Sequence, residues 1–312
     1  MNELELITRL VPILEGNDSV IVPSGDDCAV LDLGIRDKYV LFKTDAVVEG
    51  IHFTKETPPE KIGQKALARC LSDIAAMGGQ PTAALVTLAL PRDFDSERIE
   101  GVYRGMNRLA AKHAVAMVGG ETTTNPERVL ISIAAVGTVE RDKCVRRSTA
   151  KPGDAIFVTG DLGGSIHGKH LDFEPRLTEA RWLVEHFDIR AMIDLSDGLA
   201  SDLRHILDAS GVGAELLSTA IPISRAARLA ARAGSSARSP LLSALTDGED
   251  FELLFTVPGK DAVALLDAWK LQFPQLPLSC IGRITREPGL RLRDKDGVRP
   301  LNVHGYTHFE EF

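Results

Sequence analysis

Apolar and polar residues alternate along several stretches of the first half of the chain, and this pattern predicts β-strands. The predicted strands are Ser19 to Val22, Ala29 to Leu33, Tyr39 to Lys43, Pro81 to Leu90 and Val129 to Val139. Helical patterns precede and interrupt them: an amphipathic N-terminal helix in MNELELITRL, one from Pro58-Pro59 to Gly78-Gly79, and one from about Ser96 to Ala116. The first half therefore predicts antiparallel strands combined with long helices.

The second half alternates between strand and helix patterns. It follows a break at Arg146 to Asp154, where Pro152-Gly153 predicts a turn. Its predicted elements are strands Ala155 to Thr159, Ala191 to Asp194, Phe251 to Val257 and Ser279 to Ile284, and helices Leu199 to Ala209 and Asp261 to Leu271. Such alternation indicates an α/β or α+β domain. We therefore predict two domains, residues 1–145 and 146–312.

Length and composition agree with two globular domains. The chain has 312 residues, of which 44% are hydrophobic and 26% charged, and no apolar run approaches the ~20 residues of a membrane span. A net charge of −8 without a basic run disfavours nucleic acid and anionic membranes as partners. The acidic N-terminus does not have the pattern of a signal peptide, and the four cysteines form no CxxC pair. We expect a cytoplasmic protein with reduced thiols and no membrane partner.

One carboxylate stands on the apolar side of a predicted helix. At 100° per residue, Asp73 falls within the stripe formed by Ile62, Ala66, Cys70 and Met77. A carboxylate aimed at the core requires a hydrogen-bonding partner or a cation, because burying a bare charge is very costly. An aspartate paired with an amide or an arginine and a metal-binding aspartate both fit this position.

Further acidic residues occupy strand ends and glycine turns. Asp26 and Asp27 lie in the turn SGDDC, and Asp45 is expected at the end of the strand YVLFKTD. The others are Glu121 in VGGETTT, and Asp194 and Asp197 in MIDLSDGL. If these carboxylates converge they repel one another unless hard cations bind between them, and oxygen ligands without His or Cys favour Mg²⁺, Mn²⁺ or Ca²⁺.

Three sequence features are candidates for phosphate binding. GGSIHGKH at Gly163 to His170 lies within one residue of the P-loop pattern, with His170 where a magnesium-binding hydroxyl belongs. A glycine-rich turn into a helix is the other interpretation of this segment. The amides of Gly119 and Gly120 and those at the start of the Leu199 helix are equally able to hold phosphate oxygens.

For two single residues the sequence pattern alone allows two roles each. His52 in EGIHF fits a structural strand position as well as a substrate contact, and Arg147 fits a surface charge as well as a nucleotide-phosphate ligand.

Taken together, these stretches resemble the thiamine-monophosphate kinase family. This family lies within the superfamily of aminoimidazole ribonucleotide synthetase, selenophosphate synthetase and the hydrogenase maturation dehydratase. The resemblance covers nearly the whole chain and rests on GDDCAVL, KTDAVVEGIHF, LSDIAAMGGQPTAALVTLALP, VGGETT, RRSTAKPGD, VTGDLGGS, IDLSDGLASDL, DGEDFELLFTV and GYTHF. Asp73 to Pro81 fits the superfamily pattern DxxxxGxxP, whereas EGIHF, IDLSDGL and GEDFELLF narrow the choice to this family.

The resemblance implies a fold and a reaction. It implies an N-terminal domain whose mixed sheet, with flanking helices, pairs with a second subunit in a barrel-like homodimer. It also implies a C-terminal α/β domain and ATP bound in a cleft between the domains. The implied reaction is phosphorylation of thiamine phosphate by ATP, assisted by several Mg²⁺ ions.

The resemblance also assigns roles to individual residues by motif. The implied metal ligands are Asp26, Thr44, Asp45, Asp73, Glu121, Asp194 and Asp197. The implied ATP contacts are Tyr103, Gly120, Glu121, Arg147 and Ser196, and the implied thiamine phosphate contacts are His52, Glu249 and Tyr306. No residue is assigned as a general base, because an acceptor phosphate is already ionised near neutral pH.

Two residues depart from the family pattern. Glu121 stands where aspartate is usual, so its oxygens lie one methylene further out. Lys43 stands where a small hydroxyl residue often contributes to one metal ion.

Other members of the superfamily fit less well. The first cysteine is Cys28 inside the GDD turn, whereas selenophosphate synthetase is expected to carry a reactive cysteine near its N-terminus. The chain ends in HFEEF, whereas the maturation dehydratase ends in a modifiable cysteine. A metal-binding regulatory dimer without catalysis is a further alternative, favoured only by Glu121.

Overall fold

The computed structural model describes residues 3–234 and 236–306. The chain forms two compact units. We call Ser19–Cys144 together with Gly168–Arg181 the first unit, and Met1–Asp18, Val145–His167 and Trp182–Phe312 the second unit. Each unit contains one mixed sheet.

The first unit is built on a six-stranded sheet in the order β1-β2-β3-β6-β4-β5. Its strands are β1 (Val20–Val22), β2 (Ala29–Leu31), β3 (Lys38–Val48), β4 (Gln80–Leu90), β5 (Ala116–Thr124) and β6 (Leu130–Glu140). Neighbouring strands are antiparallel except β4 and β5, which are parallel. Along β6 every second residue, including Ile131, Ile133 and Ala135, is buried, as expected for a strand with one face on the core.

The second unit is built on a seven-stranded sheet in the order β13-β12-β9-β11-β7-β10-β8. Its strands are β7 (Asp154–Thr159), β8 (Ala191–Asp194), β9 (Gly213–Leu217), β10 (Leu253–Pro258), β11 (Leu278–Thr285), β12 (Gly289–Asp294) and β13 (Gly297–Pro300). Only β9 and β12 pair in parallel. Strands β7 and β10 are buried along their whole length, so they form the centre of this unit.

Helices complete both units. They are α1 (Glu3–Leu10), α2 (Pro59–Ala76), α3 (Ser96–Lys112), α4 (Lys169–Asp172), α5 (Leu177–His186), α6 (Leu199–Ser210), α7 (Arg225–Arg232), α8 (Pro240–Thr246) and α9 (Ala262–Gln272). Helix α2 begins with proline in its first turn and ends before Gly78, whose φ of 70° an L-residue rarely adopts. Its buried residues face both the sheet of the first unit and α3.

The structure confirms most of the predicted elements, corrects others and contains some that were not predicted. Strand β5 is absent from the prediction, because the helical pattern appeared to reach Ala116 whereas α3 ends at Lys112. Strand β3 continues to Val48, so the expectation that Asp45 ends its strand is wrong. The weakly patterned strands β9, β12 and β13 were also not predicted. Within the described residues, no helix is long and apolar enough to cross a membrane.

Two buried thiols report on the integrity of the first unit. All four cysteines are free, and Cys28 and Cys70 are 2% and 0% exposed. Burial raises the pKa of both thiols, and the negative charge of Asp73 on Cys28 and of Asp45 on Cys70 adds to this. We therefore expect neither thiol to react with an alkylating reagent in the native protein, because a buried thiol is neither accessible nor ionised.

Mass spectrometry of peptides after timed alkylation measures this directly. Cys144 and Cys280, which are only partly buried, serve as internal references. Labelling of Cys28 or Cys70 at the same rate as the references, without denaturant, would contradict the described core.

Candidate active site

The first acidic motif forms the turn between β1 and β2. The amide of Asp27 donates to Oδ1 of Asp26 at 3.2 Å, and the side chain of Asp27 is buried. The amide of Cys28 contacts Sδ of Met77 at 3.2 Å, next to the end of α2. The turn is therefore fixed against the same helix that carries Asp73.

Two of the predicted metal ligands in the first unit are paired with basic side chains. Arg69 donates to both oxygens of Asp45, from Nε to Oδ2 at 2.9 Å and from a terminal nitrogen to Oδ1 at 3.1 Å. Lys43 Nζ lies 2.7 Å from Oδ1 of Asp73. Residues of β3 and α2 thus form two ion pairs in which both carboxylates are at most partly accessible.

The pKa values in this cluster follow from those pairs. Burial alone would raise the pKa of Asp45, but the positive charges of Arg69 and Lys43 hold it below its ordinary value. Burial likewise opposes the charge of Lys43, yet the carboxylates of Asp73 and Asp45 raise the pKa of this ammonium. Lys43 and Asp45 are therefore both ionised near neutral pH.

Gly120 and Glu121 lie on β5, the edge strand that runs parallel to β4. A side chain at Gly120 would place Cβ 1.7 Å from the carbonyl oxygen of Val86, and its φ is 153°. Only glycine fits there. Glu121 is exposed on the same strand, and the hydroxyl of Thr44 on β3 lies 3.4 Å from that of Ser132.

Replacing Gly120 by alanine is expected to destabilise the first unit, because it adds a backbone clash to an unfavourable φ. Gly119 is the matched control, since its φ is also positive, at 129°, but no atom lies within 4 Å of an added Cβ. We expect Gly119→Ala to lower the free energy of unfolding by about 1–3 kcal/mol and Gly120→Ala by about 1–3 kcal/mol more. Urea denaturation measures both, and equal losses would contradict the described packing of β5 on β4.

His52 is held by its backbone and by one ring nitrogen. Its Nδ1 accepts a hydrogen bond from the amide of Val48 at 3.1 Å, so the neutral ring carries its proton on Nε2. Its carbonyl oxygen accepts from Nζ of Lys65 at 2.9 Å, and the same Nζ lies 2.8 Å from Nδ1 of His170. Lys65 is 0% exposed, so a buried lysine side chain links the EGIHF turn to α2.

Tyr103 lies on α3. It lines a groove on α3 together with Phe94, Ser96, Ile99, Glu100, Arg104 and Asn107. Partial burial raises the pKa of its phenol. No other predicted site residue lines this groove.

In the second unit the IDLSDGL loop gathers three carboxylates. Asp194 ends β8 and is buried, and the amides of Asp197 and Gly198 both donate to Oδ2 of Asp202 at 3.1 Å. Burial raises the pKa of Asp202 well above its ordinary value, and the charges of Asp197 and Asp194 raise it further. Like charges held together in this way fit a hard cation.

The remaining predicted residues of the second unit surround this loop. The amide of Glu249 donates to the carbonyl oxygen of Ser196 at 2.7 Å. The amide of Tyr306 donates to the backbone carbonyl oxygen of Asp197 at 3.0 Å. Partial burial raises the pKa of the Tyr306 phenol, with Glu249, Glu3 and Asp197 contributing.

Arg147 and Glu249 have distinctive positions within this group. The carbonyl oxygen of Arg147 accepts from Ser210 Oγ at 2.8 Å at the end of α6. Its charge opposes the larger effects of burial and of the neighbouring carboxylates on the pKa of Asp202. Glu249 has a φ of 64°, a conformation that costs about 1–3 kcal/mol for a residue with a side chain and clusters at functional sites.

The Walker-type interpretation of GGSIHGKH is wrong. The amide of Gly163 donates to both carboxylate oxygens of Asp250, at 3.1 and 2.9 Å, and that of Gly164 to Oδ2 of Asp247 at 2.9 Å. These amides are satisfied by the DGEDFELLF segment, so they form no phosphate cradle. The alternative, a glycine-rich turn, is confirmed.

Two residues at the centre of these clusters had no predicted role. Asp202 occupies the apolar stripe of α6 between Leu199 and Ile206, the same signal that identified Asp73. Arg69 has no such signal, because its partner Asp45 lies 24 positions away on β3. The tail motif GYTHF is described only through Tyr306, and its later residues lie outside the described range.

Two protein-family models match this chain. The family model for the AIR synthase related protein, N-terminal domain, matches residues 25–139, and that for the C-terminal domain matches residues 151–295. The fold and site thus define a protein of the AIR synthase related class.

Relatives and solved structures narrow this class. Thiamine-monophosphate kinase of Rhodopirellula baltica is 41% identical over 279 residues, which are 87% of this chain and 85% of the relative. That of Bacillus subtilis is 33% identical and covers 99% of this chain and 100% of its own length. The structure of AaThiL complexed with AMPPCP and TMP superposes with a TM-score of 0.83 at 31% identity, covering 99% of this chain and 97% of that chain. The chain belongs to the thiamine-monophosphate kinase family.

Proposed function

We propose that this chain transfers the γ-phosphoryl group of ATP to thiamine phosphate, giving ADP and thiamine diphosphate. The observation that carries this proposal is the match to thiamine-monophosphate kinases over the full length of both chains. The complex of a relative with AMPPCP and TMP supports ATP as the phosphoryl donor. The motifs EGIHF, IDLSDGL and GEDFELLF, on which the resemblance to this family rests, support the same proposal.

We further propose the same division of roles that the family resemblance implied. The metal ligands are Asp26, Thr44, Asp45, Asp73, Glu121, Asp194 and Asp197. The ATP contacts are Tyr103, Gly120, Glu121, Arg147 and Ser196, and the acceptor contacts are His52, Glu249 and Tyr306. The proximity of Ser196, Asp197, Glu249 and Tyr306 supports this division in the second unit.

Magnesium ions, when bound, neutralise phosphate oxygens so that the negatively charged donor and acceptor can approach each other. The repelling carboxylates Asp194, Asp197 and Asp202 fit such ions. In the first unit the fit is partial, because Arg69 and Lys43 already neutralise Asp45 and Asp73. Asp26 and Asp27 remain as further oxygen donors there.

The side chains of the protein position the two substrates, and none of them is required to move a proton. Nδ1 of His52 is occupied by the amide of Val48, so Nε2–H is the ring group that can donate to an acceptor phosphate. The guanidinium of Arg147 offers several donors to a nucleotide phosphate. Positioning and electrostatic stabilisation therefore account for the acceleration, and no general base is assigned.

We propose that the first unit forms the interface of a homodimer. Phe42 pairs with Val136, and Leu85 with Ala134, so these four side chains lie on one face of the sheet. Phe42 and Leu85 are 47% and 45% exposed, whereas α2 covers the opposite face. A second copy of this sheet would bury this apolar face, as the barrel-like arrangement of the family resemblance requires.

Two broader expectations stay proposals. We propose that the functional division of the chain is 1–145, for ATP, metal and dimer contacts, and 146–312, for the α/β domain. We also propose a cytoplasmic location, in which the thiols remain reduced.

A coupled assay of ADP release tests the function. We expect ADP only when ATP, Mg²⁺ and thiamine phosphate are all present, with thiamine diphosphate formed in equal amount. Aminoimidazole precursors and selenide serve as control acceptors and should give no stimulation. Binding of Mg²⁺ without acceptor-dependent ADP release would instead support the non-catalytic metal-binding dimer.

A further inference from the structure

Lys43 occupies a position within the cluster of carboxylates in the first unit. It projects from β3, and its Nζ lies 2.7 Å from Oδ1 of Asp73 on α2. The two side chains are 25% and 10% exposed, so this ion pair is shielded from solvent. An ion pair on the surface is screened by solvent and contributes little to stability, whereas breaking a shielded pair leaves an uncompensated charge and is costly.

The ammonium competes directly with a metal ion for this oxygen. Magnesium binds carboxylate oxygens at about 2.0–2.1 Å. A Mg²⁺ ion on the same oxygen would lie within about 5 Å of the ammonium, where the two positive charges repel strongly in a shielded site. Lysine and a metal ion at this oxygen therefore exclude each other.

The balance of charge supports the same conclusion. Lys43 supplies one positive charge to Asp73, and Arg69 supplies a second to Asp45. Arg69 already engages both oxygens of Asp45. The chain's own cations therefore already neutralise both of these carboxylates.

We propose that Lys43 is a resident cation that takes the place of one divalent ion at Oδ1 of Asp73, which leaves Oδ2 for the metal site proposed above. The first unit therefore binds one metal ion fewer than its acidic residues alone would hold. This inference deepens the proposed metal-assisted function and concerns only the number of ions that the first unit binds.

Counting bound Mn²⁺ in the full-length protein without nucleotide tests the proposal. Lys43→Met keeps the length of the side chain and removes its charge. We expect this variant to bind one more Mn²⁺ per chain than the parent, as counted by electron paramagnetic resonance. Lys61→Met is the matched control, because Lys61 also forms a 2.7 Å pair, with Asp172, but both side chains are solvent-exposed. The control should leave the count unchanged.

Two further variants make the result decisive. Lys43→Met combined with Asp73→Asn should lose the additional ion, because the released oxygen is gone. Lys43→Gln provides the same test if the methionine variant does not fold. An unchanged Mn²⁺ count in a folded Lys43→Met or Lys43→Gln variant would overturn the proposal. The Mn²⁺ count is made without nucleotide, so it does not depend on kinase activity. An inactive protein would therefore contradict the proposed function but not the proposed role of Lys43.

Discussion

Asp73→Asn is expected to lower turnover of ATP and thiamine phosphate by roughly 10²–10³-fold, the loss typical when one preorganised electrostatic group is removed from an active site. Asparagine keeps the shape of the side chain but removes the charge that the proposed metal site and Lys43 both require. Asp45→Asn is expected to act in the same direction, since it leaves Arg69 without its bidentate partner. Steady-state ADP release at saturating substrates measures both variants.

The structure shows that stability must be separated from chemistry in this experiment. Asp73→Asn leaves the shielded Lys43 ammonium without its partner, which by itself costs about 3–5 kcal/mol for a buried pair. Adding Lys43→Met removes the unpaired charge, so the double variant should regain stability while remaining inactive. Asp172→Asn is the control on an exposed pair and should retain activity. Near-normal rates in both Asp73→Asn and Asp45→Asn would refute the assignment of these carboxylates to the metal site.

Asp197→Asn is expected to abolish most activity and yet to stabilise the metal-free protein. Asp197 and Asp194 raise the already elevated pKa of the buried Asp202, so these carboxylates repel one another in the folded state. Removing one charge should relieve roughly 1 kcal/mol of electrostatic repulsion in the folded state, which raises Tm by about 2–4 °C. Turnover should fall roughly 10²-fold or more, because the same charge is proposed to hold an ion.

The sign of the pH effect makes this prediction specific. A carboxyl whose folded pKa is raised favours the folded state below its unfolded pKa, and this contribution is lost as the pH rises through the folded pKa. The gain in Tm from Asp197→Asn is therefore expected to be small near the unfolded pKa of aspartate, about 4, and to grow as the pH rises through the folded pKa of Asp202. Calorimetry in the presence of a chelator measures it. Asp208→Asn, on the exposed side of α6, is the control, and a lower Tm for Asp197→Asn than for this control would contradict the described repulsion.

Elements with strong local signals were predicted correctly. Helix α2 has a proline start, a glycine stop and an apolar stripe that contains one carboxylate, Asp73, and α6 ends at Gly211, whose φ is 66°. Strand β8 matches its predicted bounds at both ends. Strand β5 was missed, because its residues are nearly all exposed and include two glycines, so no alternation of buried and exposed positions marks it.

The sequence by itself placed one carboxylate on the buried side of a helix, since a carboxylate within an apolar stripe is visible from local periodicity. Asp73 was found in this way, and Asp202 carries the same signal. Only the tertiary structure decided what neutralises each charge. Lys43 and Asp73 are 30 positions apart, and Arg69 and Asp45 are 24 apart. Such pairs form when the packing of a helix on a sheet brings distant residues together, and local patterns do not encode that register.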